Sequence, residues 1–220
     1  MNLDYYHYGA LLHGQKGWNY GHFTGSGLPM RFTDAGGRIL GIYQQVTQLA
    51  DDYFLNFPWT HYQQMGPEKG VEVAAGLIQS SLAGRFAAIA CNFHCDPYDM
   101  EDRWRLPAQT WLGGTLSAAR DNHTPVWTAQ RWLEFTQARQ QARFENLGRR
   151  EKTLAFDLTA GETSVAGLSA LLPLEHAGEA LQQVRVDGQE AVFEVWQVGG
   201  VGYGLVSLAA GSHHIEASYL

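Results

Sequence analysis

The chain has 220 residues, two cysteines and a formal net charge of −7. That length buries a substantial core in one large or two small domains. Mild acidity excludes the basic footprint of a nucleic-acid or anionic-membrane binder, and no run of roughly 18 apolar residues marks a transmembrane helix.

The N-terminal stretch MNLDYYHYGALLHGQ lacks a basic n-region and an apolar h-region, so no signal peptide is expected, and the compartment stays undetermined. The segment 24–32, TGSGLPMRF, is dense in glycine and hydroxyl groups. Thr24 and Ser26 alternate with glycines whose backbone N–H groups can approach a ligand closely. A phosphate loop would need a lysine and a following helix. Leu28 and Pro29 follow instead, which excludes nucleotide binding. A strand or hairpin is expected over MRFTDAGGRILGIYQQ, turning at Asp34-Ala35-Gly36-Gly37, where glycine supplies positive φ. Gln44, Gln45, Gln48, Asp51 and Asp52 then form a polar cluster. Amides and carboxylates offer several hydrogen-bonding sites each, a chemistry suited to sugar hydroxyls. Substrate binding is assigned to Thr24, Ser26, Gln44, Gln45, Gln48 and Asp52. Asp51 and Asp52 are adjacent on one backbone and are not expected to act together as a glycosidase pair.

Pro67 opens an expected helix, PEKGVEVAAGLIQSSLAGRF, with Glu68 and Glu72 toward its N-terminus and Gly84 near its stop. An expected strand covers 87–94, AAIACNFH. Alternation puts Ala87, Ile89, Cys91 and Phe93 on an apolar face and Ala88, Ala90, Asn92 and His94 on the other. Cys91 and Cys95 are about 13 Å apart on an extended chain, too far for a disulfide, so both are read as free thiols. No metal ligands are assigned, because CNFHC has no second ligand pair at a standard spacing.

An acidic loop, DPYDMEDRWRLP, follows at 96–107. Trp104 is its candidate sugar-stacking platform. A helix is expected over about 111–122, a short strand PVWT at 125–128, and a last helix over about 129–146, capped by Thr128. Alternating strands and helices suggest βαβ units and a parallel sheet. Composition changes near residue 147. Six of the seven tryptophans precede it, and the charged run GRREK at 148–152 reads as a linker. Beyond it, short apolar runs recur between turn signals: TLAFDLTA, GLSALLP, QQVRVDG, AVFEVWQVGG, GYGLVSLAAG and HHIEASYL. Asp187-Gly188 marks a hairpin.

The expected fold class is therefore α/β: a partial or distorted (β/α) barrel over 1–147, followed by a small all-β sandwich over 148–220. In such a barrel the ends of strands carry the chemistry. His94 and Asp96 would sit at the mouth as catalytic residues, because imidazole titrates near working pH.

The order of FHCD, a helix, and then TPVWTAQRWLEFTQAR resembles the C-terminal half of the polysaccharide deacetylase superfamily. The resemblance covers residues 87–146 and, more loosely, 1–60. It implies a distorted (β/α) barrel and metal-assisted removal of acetyl groups from polysaccharides. His94 would match the late-barrel histidine that acts as general acid toward the leaving group. The family's metal site uses an Asp and two His from an HxxxH motif, which this sequence lacks; His7 and His13 are six apart. The resemblance thus implies a fragment without the upstream metal site. No cofactor is expected in this chain, and a divalent metal only if upstream residues supply its ligands. The expected partners are a polysaccharide or oligosaccharide and an upstream domain of the same polypeptide. The alternatives are a glycoside hydrolase, with carboxylates drawn from Asp52, Asp96 and Asp102, and a non-catalytic carbohydrate-binding or structural module.

Overall fold

The computed structural model describes residues 2–3, 27–51, 55, 66–160 and 168–220. The chain separates into two compact units, Met1–Val126 and Trp127–Leu220.

In the first unit, β1 (Asn2–Leu3) pairs in parallel with β3 (Ile39–Val46), and β3 pairs antiparallel with β2 (Met30–Thr33). Asp34 closes the β2–β3 turn as the sequence predicts. One of its oxygens accepts from Gly36 N–H at 3.0 Å and Arg38 N–H at 2.9 Å, while Gly37 takes the positive φ. Next come β4 (Leu49–Ala50), α1 (Pro67–Ser80), β5 (Cys91–Asn92) and α2 (Asp102–Asp121). β4 and β5 are parallel and flank α1 in sequence, so this stretch forms a βαβ unit. Pro67 stands at the start of α1 and Glu68 in its first turn. The helix passes into a π-turn at Ser81–Arg85, where Gly84 has φ 117°, and ends with Phe86 left-handed. The predicted stop is thus where glycine relieves the backbone.

α1 buries Gly70, Ala74, Leu77 and Ile78; α2 buries Ala108, Trp111, Thr115 and Ala119. Both spacings make one helical stripe. The stripes meet closely because each helix offers a glycine. A Cβ on Gly70 would lie 2.3 Å from the Trp111 indole nitrogen, and one on Gly114 would lie 2.4 Å from a Val71 methyl. Trp111 is fully buried in a cluster with Leu49, Ala50, Leu55, Ala74, Leu77 and Ala108, and the Phe93 ring lies tilted against it, centroids 4.7 Å apart. α2 begins nine residues earlier than expected. The run 96–107 is a 3₁₀ turn (Asp96–Asp99) and then helix, with Pro107 inside. Proline forfeits one backbone bond there, and the burial of Ala108 and Trp111 outweighs that loss.

The second unit opens with α3 (Ala129–Gln141), whose cap Thr128 accepts from Arg131 N–H at 3.2 Å. PVWT is not a strand, and α3 stops five residues early, giving way to β6 (Arg143–Arg150). The remaining strands are β7 (Thr153–Ala160), β8 (Ser169–Pro173), β9 (Glu175–His176), β10 (Glu179–Val186), β11 (Gln189–Ala191), β12 (Glu194–Val198), β13 (Val201–Ser207) and β14 (Gly211–Tyr219). Their orders are β11-β10-β14-β7-β6, with β9 against β10, and β12-β13-β8. GRREK lies in the β6–β7 hairpin and is not a linker. At Asp187-Gly188 both residues have positive φ, which is the two-residue hairpin turn predicted.

A (β/α) barrel followed by a sandwich is not what forms. Among the described residues strands account for 40% and helices, three in number, for 33%, with a curled half-barrel sheet. Two physical reasons account for the difference. In the first unit the parallel pair crossed by a helix among the described residues is β4–β5, two residues in each strand, and the long strand β3 is turned back on β2 at Asp34. In the second, the two strand groups are joined at a corner. Leu174 N–H bonds the carbonyl of Gly202 in β13, and the Leu174 carbonyl accepts from Leu181 N–H of β10, at 2.9 and 2.8 Å. The sheet therefore curls instead of dividing into stacked layers. Phe156, Leu172, Val184, Val206, Ile215, Ala217 and Tyr219 fill its concave side. The Tyr219 hydroxyl crosses the core to the Pro173 carbonyl at 3.1 Å.

The helix contact makes two glycines on α1 behave oppositely. Gly70→Ala drives a methyl into the indole and is expected to destabilise by about 1–3 kcal/mol. Gly76→Ala meets nothing within 4 Å and is expected to stabilise by up to about 1 kcal/mol. Urea titrations of both variants check the opposite signs.

Candidate functional site

β4 and β5 run side by side, and the side chain that follows each strand meets the other. Asp51 comes immediately after β4; His94 comes two residues after β5. Asp51 Oδ1 lies 2.5 Å from His94 Nδ1, and Asp51 Oδ2 accepts from His94 N–H at 2.7 Å. Both carboxylate oxygens thus hold one residue, by its backbone and its ring. The Asp51 side chain is 1% exposed and that of His94 32%. A carboxylate this deeply buried persists only when it is hydrogen-bonded and charge-matched.

Local sequence explains the convergence. Side chains alternate along the 87–94 segment. Ile89 and Phe93 turn toward the Trp111 core, so His94 turns away from it, toward Asp51. Gln48, 1% exposed, keeps the strand ends together. Its Oε1 accepts from Ala90 N–H at 2.7 Å, while the Gln48 and Leu49 N–H groups both donate to the Ala90 carbonyl. The Gln48 amide nitrogen is buried without a hydrogen-bond partner among the described residues, a desolvation cost of about 1–3 kcal/mol. Tyr98 lies in the 3₁₀ turn after His94. Burial first, and the Asp51 carboxylate second, hold its phenol above the usual value.

The sequence-predicted site residues divide as follows. His94 is at the centre of the site. Asp96 is exposed at the start of the 3₁₀ turn. Gln44 and Gln48 are buried on and just after β3, and the Gln45 amide donates to the Gly27 carbonyl at 2.9 Å. Gly27 itself has φ 72° and packs so tightly on the Ala88 backbone that a Cβ would lie 2.1 Å from its oxygen. The close approach expected of this glycine-rich segment is therefore made, at Gly27, to the chain's own backbone. Thr24, Ser26 and Asp52 lie outside the described residues. Trp104 is half-buried on α2 against the core, with the Arg103 guanidinium 5.0 Å above its ring. Asp102 pairs with Arg105 on the surface. Cys91 and Cys95 are free thiols, as expected.

Asp51 was not singled out as a partner of His94. The two are 43 positions apart. The signal available was positional: both follow short apolar strands of one βαβ unit, and residues at the carboxyl ends of neighbouring parallel strands share one edge.

The geometry settles the tautomer. With Nδ1 facing a carboxylate, the neutral imidazole carries its proton on Nδ1 and its lone pair on Nε2. Proton exchange with a bound molecule would then run through Nε2, and the Asp51 charge would stabilise the imidazolium formed. Among the described residues no three His, Cys, Asp or Glu side chains converge as a metal group. A scan against protein-family models and a search of curated proteins find no match to the chain.

Asp51→Asn keeps the shape but presents an amide N–H to His94. The imidazole is expected to move its proton from Nδ1 to Nε2, and the ¹⁵N shifts of the two ring nitrogens should exchange accordingly. Unchanged shifts would mean that Asp51 does not set the tautomer.

Proposed function

We propose that the chain is a carbohydrate-active hydrolase of the polysaccharide deacetylase type, in which His94, oriented by Asp51, delivers a proton to the leaving group. One observation carries this reading: a partly exposed imidazole held at Nδ1 by a buried carboxylate, at the carboxyl end of paired parallel strands. Ligand chemistry in open parallel sheets gathers at that end, and an imidazole fixed by one nitrogen transfers protons through the other.

The resemblance of FHCD and TPVWTAQRWLEFTQAR to the deacetylase superfamily supplies the substrate class, an acetylated polysaccharide. The metal that the resemblance implies does not fit the described residues, which offer no converging ligand set, so the proposed proton step rests on Asp51 and His94 alone. Hydrolysis of an acetyl ester or amide needs the departing oxygen or nitrogen protonated as its bond to carbon breaks. A water adds to the acetyl carbon and passes its proton to Nε2 of neutral His94; the imidazolium so formed gives that proton to the departing oxygen or nitrogen as the old bond breaks, and His94 is left neutral beside acetic acid. Asp51 keeps its charge throughout and holds the ring in register.

The glycosidase reading needs two carboxylates facing one bond. Of the acids it would draw on, Asp102 is paired with Arg105, Asp96 is exposed at the start of the 3₁₀ turn, and Asp52 lies outside the described residues.

Acetate released from acetylated chitooligosaccharide and acetylated xylan tests the proposal. Release is expected from the native chain. His94→Ala should lower it about 10²–10⁴-fold, and Asp51→Asn by up to about 10⁴-fold, with far-UV circular dichroism unchanged in both. No acetate from the native chain, or equal release by native chain and both variants, overturns it.

A further inference from the structure

At one end of the curled sheet, the Asp187-Gly188 turn between β10 and β11 meets the beginning of β14. His213 lies between that turn and the segment that enters the strand. Its Nδ1 is 2.8 Å from Asp187 Oδ2, and its Nε2 is 3.1 Å from the Ala209 carbonyl oxygen. Both neighbours are acceptors. A neutral imidazole donates from one nitrogen only, so the two contacts are both hydrogen bonds only when the ring is an imidazolium. Asp187 completes the junction. Its Oδ1 accepts from His214 N–H at 2.8 Å, and its own N–H donates to the His214 carbonyl at 2.8 Å.

We propose that His213 is a proton-operated clasp: as the imidazolium it ties the β10–β11 turn to the segment entering β14, and loss of its proton releases the Ala209 side. The released side follows from charge. A neutral ring keeps its remaining proton toward the Asp187 carboxylate, which is the stronger acceptor, and Nε2 then turns a lone pair on the Ala209 oxygen. The contact becomes repulsive, and the turn and the segment part.

The groups that bond His213 and those around its neighbour His214 come from five elements. Asp187 faces it from the turn, and the Ala209 carbonyl from the chain before β14. On β14 itself stands His214, whose Nδ1 is 2.6 Å from Asp157 Oδ1 on β7 and whose Nε2 is 4.0 Å from Glu216. Asn146 of β6 donates to the other Asp157 oxygen at 2.6 Å. The hydrogen bond from Asp187 raises the His213 pKa against the opposing pull of burial. Asp187 is lowered, first by the His213 bond and then by the His214 N–H. His214 is raised as well, chiefly by Asp157.

The direction with pH follows. Because the folded histidine value lies above the unfolded one, the clasp contributes fully below the ordinary value, about 6.5. It is lost as pH rises through the raised value. Asp187 is shifted the other way, so its share is present above the ordinary carboxylate range and disappears only as pH falls through its lowered value. The clasp is therefore closed across mild acid and opens on the alkaline side.

Hydrogen exchange on the full chain tests this, read from about pH 5 to about pH 9 as the protection factor of the Leu208 amide, which bonds the Leu168 carbonyl at 2.8 Å next to Ala209 on the released side. Protection should fall on the alkaline side, by about tenfold for each pH unit that the folded value exceeds the unfolded one. His213→Gln should remove the step, and His214→Gln should retain it. Flat protection in the native chain, or a step that survives His213→Gln, overturns the clasp. Ring ¹⁵N shifts of the native chain give a second reading independent of any variant. Both His213 nitrogens protonated at pH 6 support the clasp, and a neutral ring there overturns it.

Discussion

The burial of Asp51 is the constraint on which the first unit's site depends. A carboxylate that has left water must be repaid in hydrogen bonds and opposing charge, and here His94 bonds both oxygens, through its backbone N–H and its ring. That requirement fixes where the chain after β5 passes and which way the imidazole turns. The core beneath it is built to allow this. Trp111 sits flush against Gly70, the Phe93 ring lies tilted against it, and the alternation of side chains after β5 that sends Phe93 to the core sends His94 across to Asp51.

The second unit meets the same problem with a different result. Its imidazole–carboxylate pairs lie on exposed sheet and turn positions, where solvent screens charge and each pair is individually weak. What they supply there is directional bonding between neighbouring strands and a turn. His213 and His214 are adjacent in sequence, yet alternation sends them to different acids, Asp187 on the turn and Asp157 on β7. The two units thus use the same two side-chain types for different ends, and what separates them is the burial of the carboxylate, 1% exposed for Asp51 and 53% for Asp187.

Much of the local structure was legible before any coordinates. Asp34 with Gly36-Gly37, Pro67, Gly84, Thr128 and Asp187-Gly188 each act where they stand, because turns and caps depend on bonds within a few residues. The misread elements were those in which a tertiary gain overrode a local signal. Pro107 reads as a helix end, but the burial of Ala108 and Trp111 carries α2 through it. GRREK reads as a linker from its charge, but an edge strand of a sheet tolerates a wholly exposed, charged run, and β6 is one. The alternating runs of the second half read as two stacked layers because period-two patterning marks a buried face without saying how strands curl. The Leu174 corner decided that.

For the candidate site the division is sharper. Sequence by itself determined that a strand precedes His94, although only Cys91–Asn92 of the expected 87–94 forms it, that its neighbour Phe93 faces the other way, and that polar side chains follow β3. It also determined the hairpin turns, the starts of α1 and α3, and the free state of both thiols. Only the tertiary structure decided that Asp51 is the residue His94 meets, that Gln48 is occupied by backbone, and that His213 stands between two acceptors. The reason is physical. Turn and cap signals are carried by bonds to near neighbours, whereas a buried carboxylate finds its partner across a strand pairing whose register no local pattern encodes.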